Sequence, residues 1–279
     1  VPHKAAVALV LVLALGQLSC ETPAEVSKFC ASAIAALQPG AALFDDIAAS
    51  CVRELQTQED FGIFSVTDPT AKECDQQRKR AAGLKAASQI LTRYFTALND
   101  LASFDTAKMG DGADALIAKV GADSSLSAGM QASTKAIGGF LLRVATSGHR
   151  QEHLTRDLSS VSDDVQVVIS GLSEAIGVVY LQELKLEEQK TAARYREFAL
   201  RRPEVVLVLE GRWQTDRAAF DAKRKAVQCY KDALEAAAKG NRELVSHVHD
   251  LKAKDLSAAL SGYTSQLNNL APVIQKAFF

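Results

Sequence analysis

The sequence predicts an all-α fold: an elongated antiparallel helical bundle built on a long coiled-coil-like hairpin that turns at Pro203. Three observations predict it. Between residues 126 and 200, apolar residues recur at heptad spacing as Met130, Ile137, Val144, Leu158, Val165, Leu172, Val179, Leu186, Ala193 and Leu200. A second row, Leu126, Phe140, Leu154, Val161, Val168 and Ala175, falls three places after or four before the first, as the two seam positions of a heptad require. Pro203 interrupts the pattern, which resumes as Val206, Trp213, Phe220, Val227, Leu234 and Val248, interleaved with Leu209, Tyr230, Ala237, Leu244 and Leu251. Finally, only 16 Gly and 6 Pro among 279 residues leave few helix breakers, and strand-like runs are confined to Ile63–Val66 and Val205–Leu209. A formal net charge of −1 leaves no electrostatic footprint for nucleic acid.

The chain opens on a targeting segment. His3 and Lys4 precede an uninterrupted apolar run from Ala5 to Leu15, too short to span a bilayer but right for the core of a signal peptide over residues 1–19. Ala14-Leu15-Gly16 offers small residues at alternate positions, as ordinary signal peptidase requires. Leu18-Ser19-Cys20 resembles instead the lipobox of bacterial exported lipoproteins, with Gln17 where that pattern has leucine. The resemblance implies lipidation at Cys20, a membrane tether there and, with Glu21 rather than aspartate following, attachment to the outer membrane facing the periplasm. Residues 20–279 then form a single helical domain: N-terminal helices over 20–104, a connector over 105–125 and the long hairpin over 126–279.

Cysteine arithmetic agrees with lipidation, because five cysteines minus Cys20 leave an even four: Cys30, Cys51, Cys74 and Cys229. Cys30 and Cys51 lie symmetrically about Pro39-Gly40, and Cys51 and Cys74 about the loop containing Gly62, so the pairing stays open. No close C-x-x-C pair supports zinc.

From Pro23 to Gln56 the chain reads as two short helices, or one kinked at Pro39-Gly40. Thr57 to Thr67 is a loop, and Asp68-Pro69 supplies an N-cap with proline at the first helical position. The helix that follows runs to about Phe104, with a stripe broadened by Ile90 and Phe95 that implies burial against more than one neighbour. A connector with Gly110, Gly112 and Gly121 carries a short amphipathic helix at Ala113 to Val120, and its aspartates lack the ladder spacing of a calcium loop. The heptad frame runs unbroken across Ser147-Gly148-His149, so Leu126 to Leu200 reads as one helix of about 75 residues, straight or bent at the glycine, spanning roughly 110 Å. Proline lacks an amide donor and disfavours helix at Arg202, so that helix stops there and Pro203 opens the next. Tyr94 to Ala102 and Tyr263 to Ala271 share a short echo, which places both at one end of the bundle.

Near the turn the seam becomes polar at Gln182, Gln189 and Arg196, with Asp216 and Lys223 opposite. A two-helix stalk exposes such positions to water or uses them to fix register. The mixed-sign runs Lys185–Lys190 and Lys223–Lys225 read as solvated faces.

Function concentrates in two places. The hairpin tip combines Phe198, Leu200, Arg201, Arg202, Val205, Leu207 and Leu209, a compact apolar patch rimmed by arginine and fit to touch a protein partner or a membrane. Helical pore-forming toxins carry longer apolar hairpins, a type of run expected here only in the leader. The second place is His149-Arg150-Gln151-Glu152-His153, which resembles the H-x-x-E-H motif of inverzincin metallopeptidases. That resemblance implies zinc on His149 and His153, with Glu152 activating water, but supplies no third ligand beyond the merely available Glu174 and Glu210. The favoured expectation is a non-enzymatic envelope lipoprotein, with no cofactor, that acts as a structural or interaction module. A zinc-dependent peptidase is the alternative.

Overall fold

The computed structural model describes residues 21–56, 70–103, 115–118, 126–146, 151–249 and 253–278, and every element among them is helical. In chain order they are α1 (Glu21–Leu37), α2 (Gly40–Gln56), α3 (Thr70–Glu73) and α4 (Asp75–Ser103), then a single turn at 115–118. After it come α5 (Ala128–Thr146) and α6 (Gln151–Glu174), a π-helical segment (Ala175–Tyr180) and α7 (Leu181–Arg201). A 3₁₀ turn (Pro203–Val205) leads into α8 (Val206–Ser246), and α9 (Lys254–Phe278) closes the chain. The run Val205–Leu209 is therefore helical and not a strand, with Pro203 opening the turn as its missing amide donor dictates.

Cross-helix contacts set the directions. Arg224 on α8 pairs with Glu188 on α7, and Gln166 on α6 donates to the Ala238 carbonyl, so the two arms run antiparallel about Pro203. Helix α2 runs alongside the ascending arm, with Asp46 meeting Tyr180 and Arg53 meeting Glu187, while α1 below it packs against α4, α8 and α9. Helices α1 and α2 form one rod kinked at Pro39-Gly40. Ser27 meets Asn99 and Asp45 meets Lys85, so α4 descends antiparallel along both halves. At the kink the Ala41 amide turns to the Gln38 carbonyl, and the Tyr230 hydroxyl donates to the Leu37 carbonyl at 3.4 Å.

One sequence expectation is corrected between α5 and α6. Met130 packs against Gly171, and α5 and α6 are neighbours, so the chain reverses between them and residues 126–200 are not one helix. The heptad frame reads straight through because both helices use the same repeat toward a common core. The continuous ascending arm is Gln151 to Arg201, roughly 75 Å long at 1.5 Å per residue.

A second correction lies at the π segment. Below it the seam follows the expected rows, with Leu158, Val161, Val165, Val168 and Leu172 buried. Within and above it the buried face is Ile176, Tyr180, Leu184 and Glu187, while Leu186 and Leu200 are exposed. Three successive steps of four residues, 172 to 184, move the seam one place along the chain, the signature of an extra residue in a helix. Gln182, Gln189 and Arg196 therefore face water and not the seam.

The lower half of the bundle packs α1, α4, α5, α6, α8 and α9 around Phe29, Tyr94, Phe95, Phe140 and Leu234, with Phe29 and Phe95 edge to face at 5.9 Å. Helix α9 ascends while α4 descends, so the echoed segments at Tyr94 and Tyr263 run in opposite directions. Close approach needs glycine at Gly240, where an added Cβ would lie 2.3 Å from two ring carbons of Phe29. Gly240→Ala gains about 1 kcal/mol of helix propensity but overpacks a fully buried ring at a cost of up to about 3 kcal/mol. A net loss of about 2 kcal/mol is expected in urea unfolding, and an unchanged or raised midpoint would refute this packing.

Candidate functional site

Two places emerge from the packing: a clamp of charged residues inside the upper half, and the tip above it. The clamp begins on α2. Asp46, Ser50 and Arg53 are spaced four and three apart, which puts them on one face toward the ascending arm. Arg53 holds Glu187 through Nε at 2.5 Å and Nη2 at 3.1 Å, and Ser50 donates to the same carboxylate at 2.6 Å. Asp46 accepts from the Tyr180 hydroxyl at 2.5 Å, from Lys223 at 2.8 Å and from Arg53 at 3.0 Å. Glu54 pairs with Lys190 just above.

Two carboxylates therefore face two cations, with Glu187 only 4% exposed. Burial alone would raise the Asp46 carboxyl, but hydrogen bonds from Lys223 and Tyr180 and the nearby Arg53 charge outweigh it and hold that carboxyl below its ordinary range. Burial likewise acts to lower Arg53, and its two carboxylate partners reverse the shift. The Tyr180 hydroxyl is pushed up by burial and by Asp46, so it stays a donor. Chemically the cluster is a neutral clamp that ties three helices at one level.

Sequence reading treats Lys185–Lys190 and Lys223–Lys225 as solvated faces. Glu187 is instead buried, and Glu188, Lys190, Lys223 and Arg224 all sit in ion pairs. The signal for the clamp was available in Asp46, Ser50 and Arg53 sharing one face of α2. What hid it was the one-residue shift at the π segment, which moves Glu187 inward.

Above the clamp, Arg194 donates to the Gln56 carbonyl at 3.0 Å, where α2 ends, and the two arms run on to Pro203. Tyr195 donates to Asp216 at 2.7 Å, and its ring lies 6.1 Å from that of Trp213. A groove of about 400 Å³ between the arms is walled by Tyr195, Phe198, Val208, Leu209 and Arg212. At the apex Leu200 is 84% exposed, Leu207 83% and Val208 63%, with Val206 beside them. Arg201 and Arg202 are exposed and pair with Glu197 and Glu204. The predicted tip residues thus come together, with Phe198, Val205 and Leu209 half-buried in the seam and Leu200 and Leu207 turned outward. Val206 and Val208 belong with them, a membership that the helical state of this run reveals.

One disulfide joins Cys51 to Cys74, tying the top of α2 to the start of α4. Cys30 is free and fully buried, and burial pushes its thiol up, as it does that of half-buried Cys229. Cys30 and Cys51 cannot pair, because the kinked α1–α2 rod does not fold back on itself.

Cys20 and His149 lie outside the described residues, as do the side chains of Glu152 and His153. Among the described residues no group of three or more His, Cys, Asp or Glu side chains is arranged to hold a metal ion. The expectation of no membrane-length apolar run beyond the leader is corrected: the helix Leu158–Arg201 contains an 18-residue window of mean hydropathy 1.4. That is a statement of length and composition, and a third of the window is buried in the bundle.

Comparison with protein families, curated proteins and solved structures finds no match to this chain.

Proposed function

We propose that this chain is a non-enzymatic helical module of the bacterial cell envelope, tethered through a lipid on Cys20, that holds its hairpin tip away from the tether and uses it as a contact surface. The observation that carries the reading is the apex itself. Leu200 and Leu207, each more than four-fifths exposed, stand one on each arm near the turn. A large aliphatic side chain loses about 1.5–3 kcal/mol by staying in water rather than being buried, so a cluster of them at a projecting end marks a docking surface. The clamp and the disulfide serve this by fixing the upper half of the bundle beneath the tip. Helix α1 begins at the end of the bundle opposite the tip, so a tether just before it points the apex away from its own anchoring surface.

Photo-crosslinking in the native envelope tests the reading. A photoreactive residue at Leu207 is expected to give adducts, and one at exposed Gln228 on the side of the bundle is not. Equal labelling at both positions, or none at either, contradicts a tip-directed contact. Incorporation of labelled fatty acid that is lost in Cys20→Ser tests the tether separately.

A further inference from the structure

Resting on the reading of the tip as a contact surface, we infer that its partner is an anionic lipid surface, into which Leu200, Val206, Leu207 and Val208 insert while the surrounding arginines meet the headgroups. Three observations favour lipid. The first is shape: the exposed apolar set is four side chains on the end of a two-helix hairpin. A stable protein interface needs roughly 800 Å² and some 20–30 residues on each side, far more than four exposed apolar side chains, whereas a bilayer demands no matching surface.

Charge is the second. Between Thr191 and Arg217 stand six arginines and four carboxylates, a local positive excess in a chain whose formal net charge is −1. A second copy docked tip to tip would bring that excess against itself. An anionic leaflet attracts it. The third is composition along the arms. Arg201 and Arg202 stand at the turn itself with side chains 61% and 68% exposed, Leu200, Leu207 and Val208 lie just behind them, and Tyr195 and Trp213 form an aromatic pair further back. Long arginine side chains that can reach headgroups, exposed aliphatics beside them and aromatic rings within a few turns are the side-chain mix of an interfacial lipid contact.

Trp213 is the only tryptophan in the chain, which makes the test direct. The full chain is floated with vesicles of phosphatidylcholine alone and with vesicles containing about a third phosphatidylglycerol. Binding is expected on the anionic vesicles, weakened by salt as surface charge is screened. Leu200→Ser, Leu207→Ser and Val208→Ser together are expected to weaken it by about tenfold or more. Because the apolar leader is common to all variants, a second readout fixes where contact occurs. Leu207→Trp in a Trp213→Phe background places the sole indole at the apex, and Val167→Trp in the same background places it on the side of the bundle.

The apical indole is expected to shift to the blue and to be quenched by acyl-brominated lipid, and the lateral one to stay unmoved. Flotation that leaves the apical indole unmoved, or that the triple serine variant does not weaken, overturns the inference. So does the absence of binding to either vesicle. If Leu207 still crosslinks to a protein in the native envelope under those outcomes, the lipid assignment has failed and the tip reading stands. If both measurements fail, both readings fall.

Discussion

Glu187→Ala is expected to lower the stability of the fold by about 3 kcal/mol, one of the two largest single effects in this protein. The alanine leaves Arg53 with one carboxylate partner instead of two and orphans the Ser50 hydroxyl in a fully buried position. Removing one partner of a buried pair typically costs about 3–5 kcal/mol, because the remaining charge stays desolvated. The lower end applies here, since the Arg53 side chain is 35% exposed and water reaches it. Glu187→Gln keeps an acceptor for Ser50 and should cost less. Urea unfolding measures both, and a loss below about 1 kcal/mol for the alanine would place Glu187 with ordinary surface ion pairs.

The same cluster predicts an acid limb. Asp46 has a folded-state carboxyl held below its unfolded value, near 3.9, so the native state binds fewer protons than the unfolded state. Its contribution is complete above about pH 4 to 5, and it disappears as pH falls through the folded value. Asp46→Asn should flatten that limb while lowering the plateau, and an acid profile identical to the parent's would contradict the clamp.

The second large effect belongs to the disulfide. Cys51 and Cys74 are separated by 23 residues, and closing a loop of that length removes about 3 kcal/mol of unfolded-chain entropy. Cys51→Ala with Cys74→Ala should destabilise by that amount. The effect on the tip is expected to be indirect, through looser seating of α2 on the clamp. Non-reducing peptide mapping should recover one Cys51–Cys74 linked peptide and leave Cys30 unmodified until the protein unfolds. A linkage involving Cys30 would contradict the kinked α1–α2 rod.

The legible parts of this fold share one property: their pattern is local and apolar. Leu84, Leu91 and Leu98, or Phe220, Val227 and Leu234, mark their buried faces because heptad spacing on one helix needs no knowledge of its neighbours. The turn at Pro203 is legible for the same reason. The reversal between α5 and α6 is not, because two antiparallel helices serving one core carry the same repeat and the frame runs on as if the helix did. The π segment is a second failure of extrapolation. One extra residue turns Leu186 and Leu200 outward and brings Tyr180 and Glu187 inward, which converts a supposed solvated face into the clamp. At the tip the apolar composition is readable from Val205 to Leu209, but its division into half-buried and exposed members follows from helical geometry at the turn.

The most direct measurement is small-angle X-ray scattering on the chain from Glu21 to Phe279, with mass determined in the same experiment. An ascending arm of 51 residues predicts a monomer with a maximum dimension of about 80–90 Å, the arm's roughly 75 Å plus the side chains at its ends. A radius of gyration near 19 Å, that of a globule of this length, would contradict a projecting hairpin and return the tip residues to the interior.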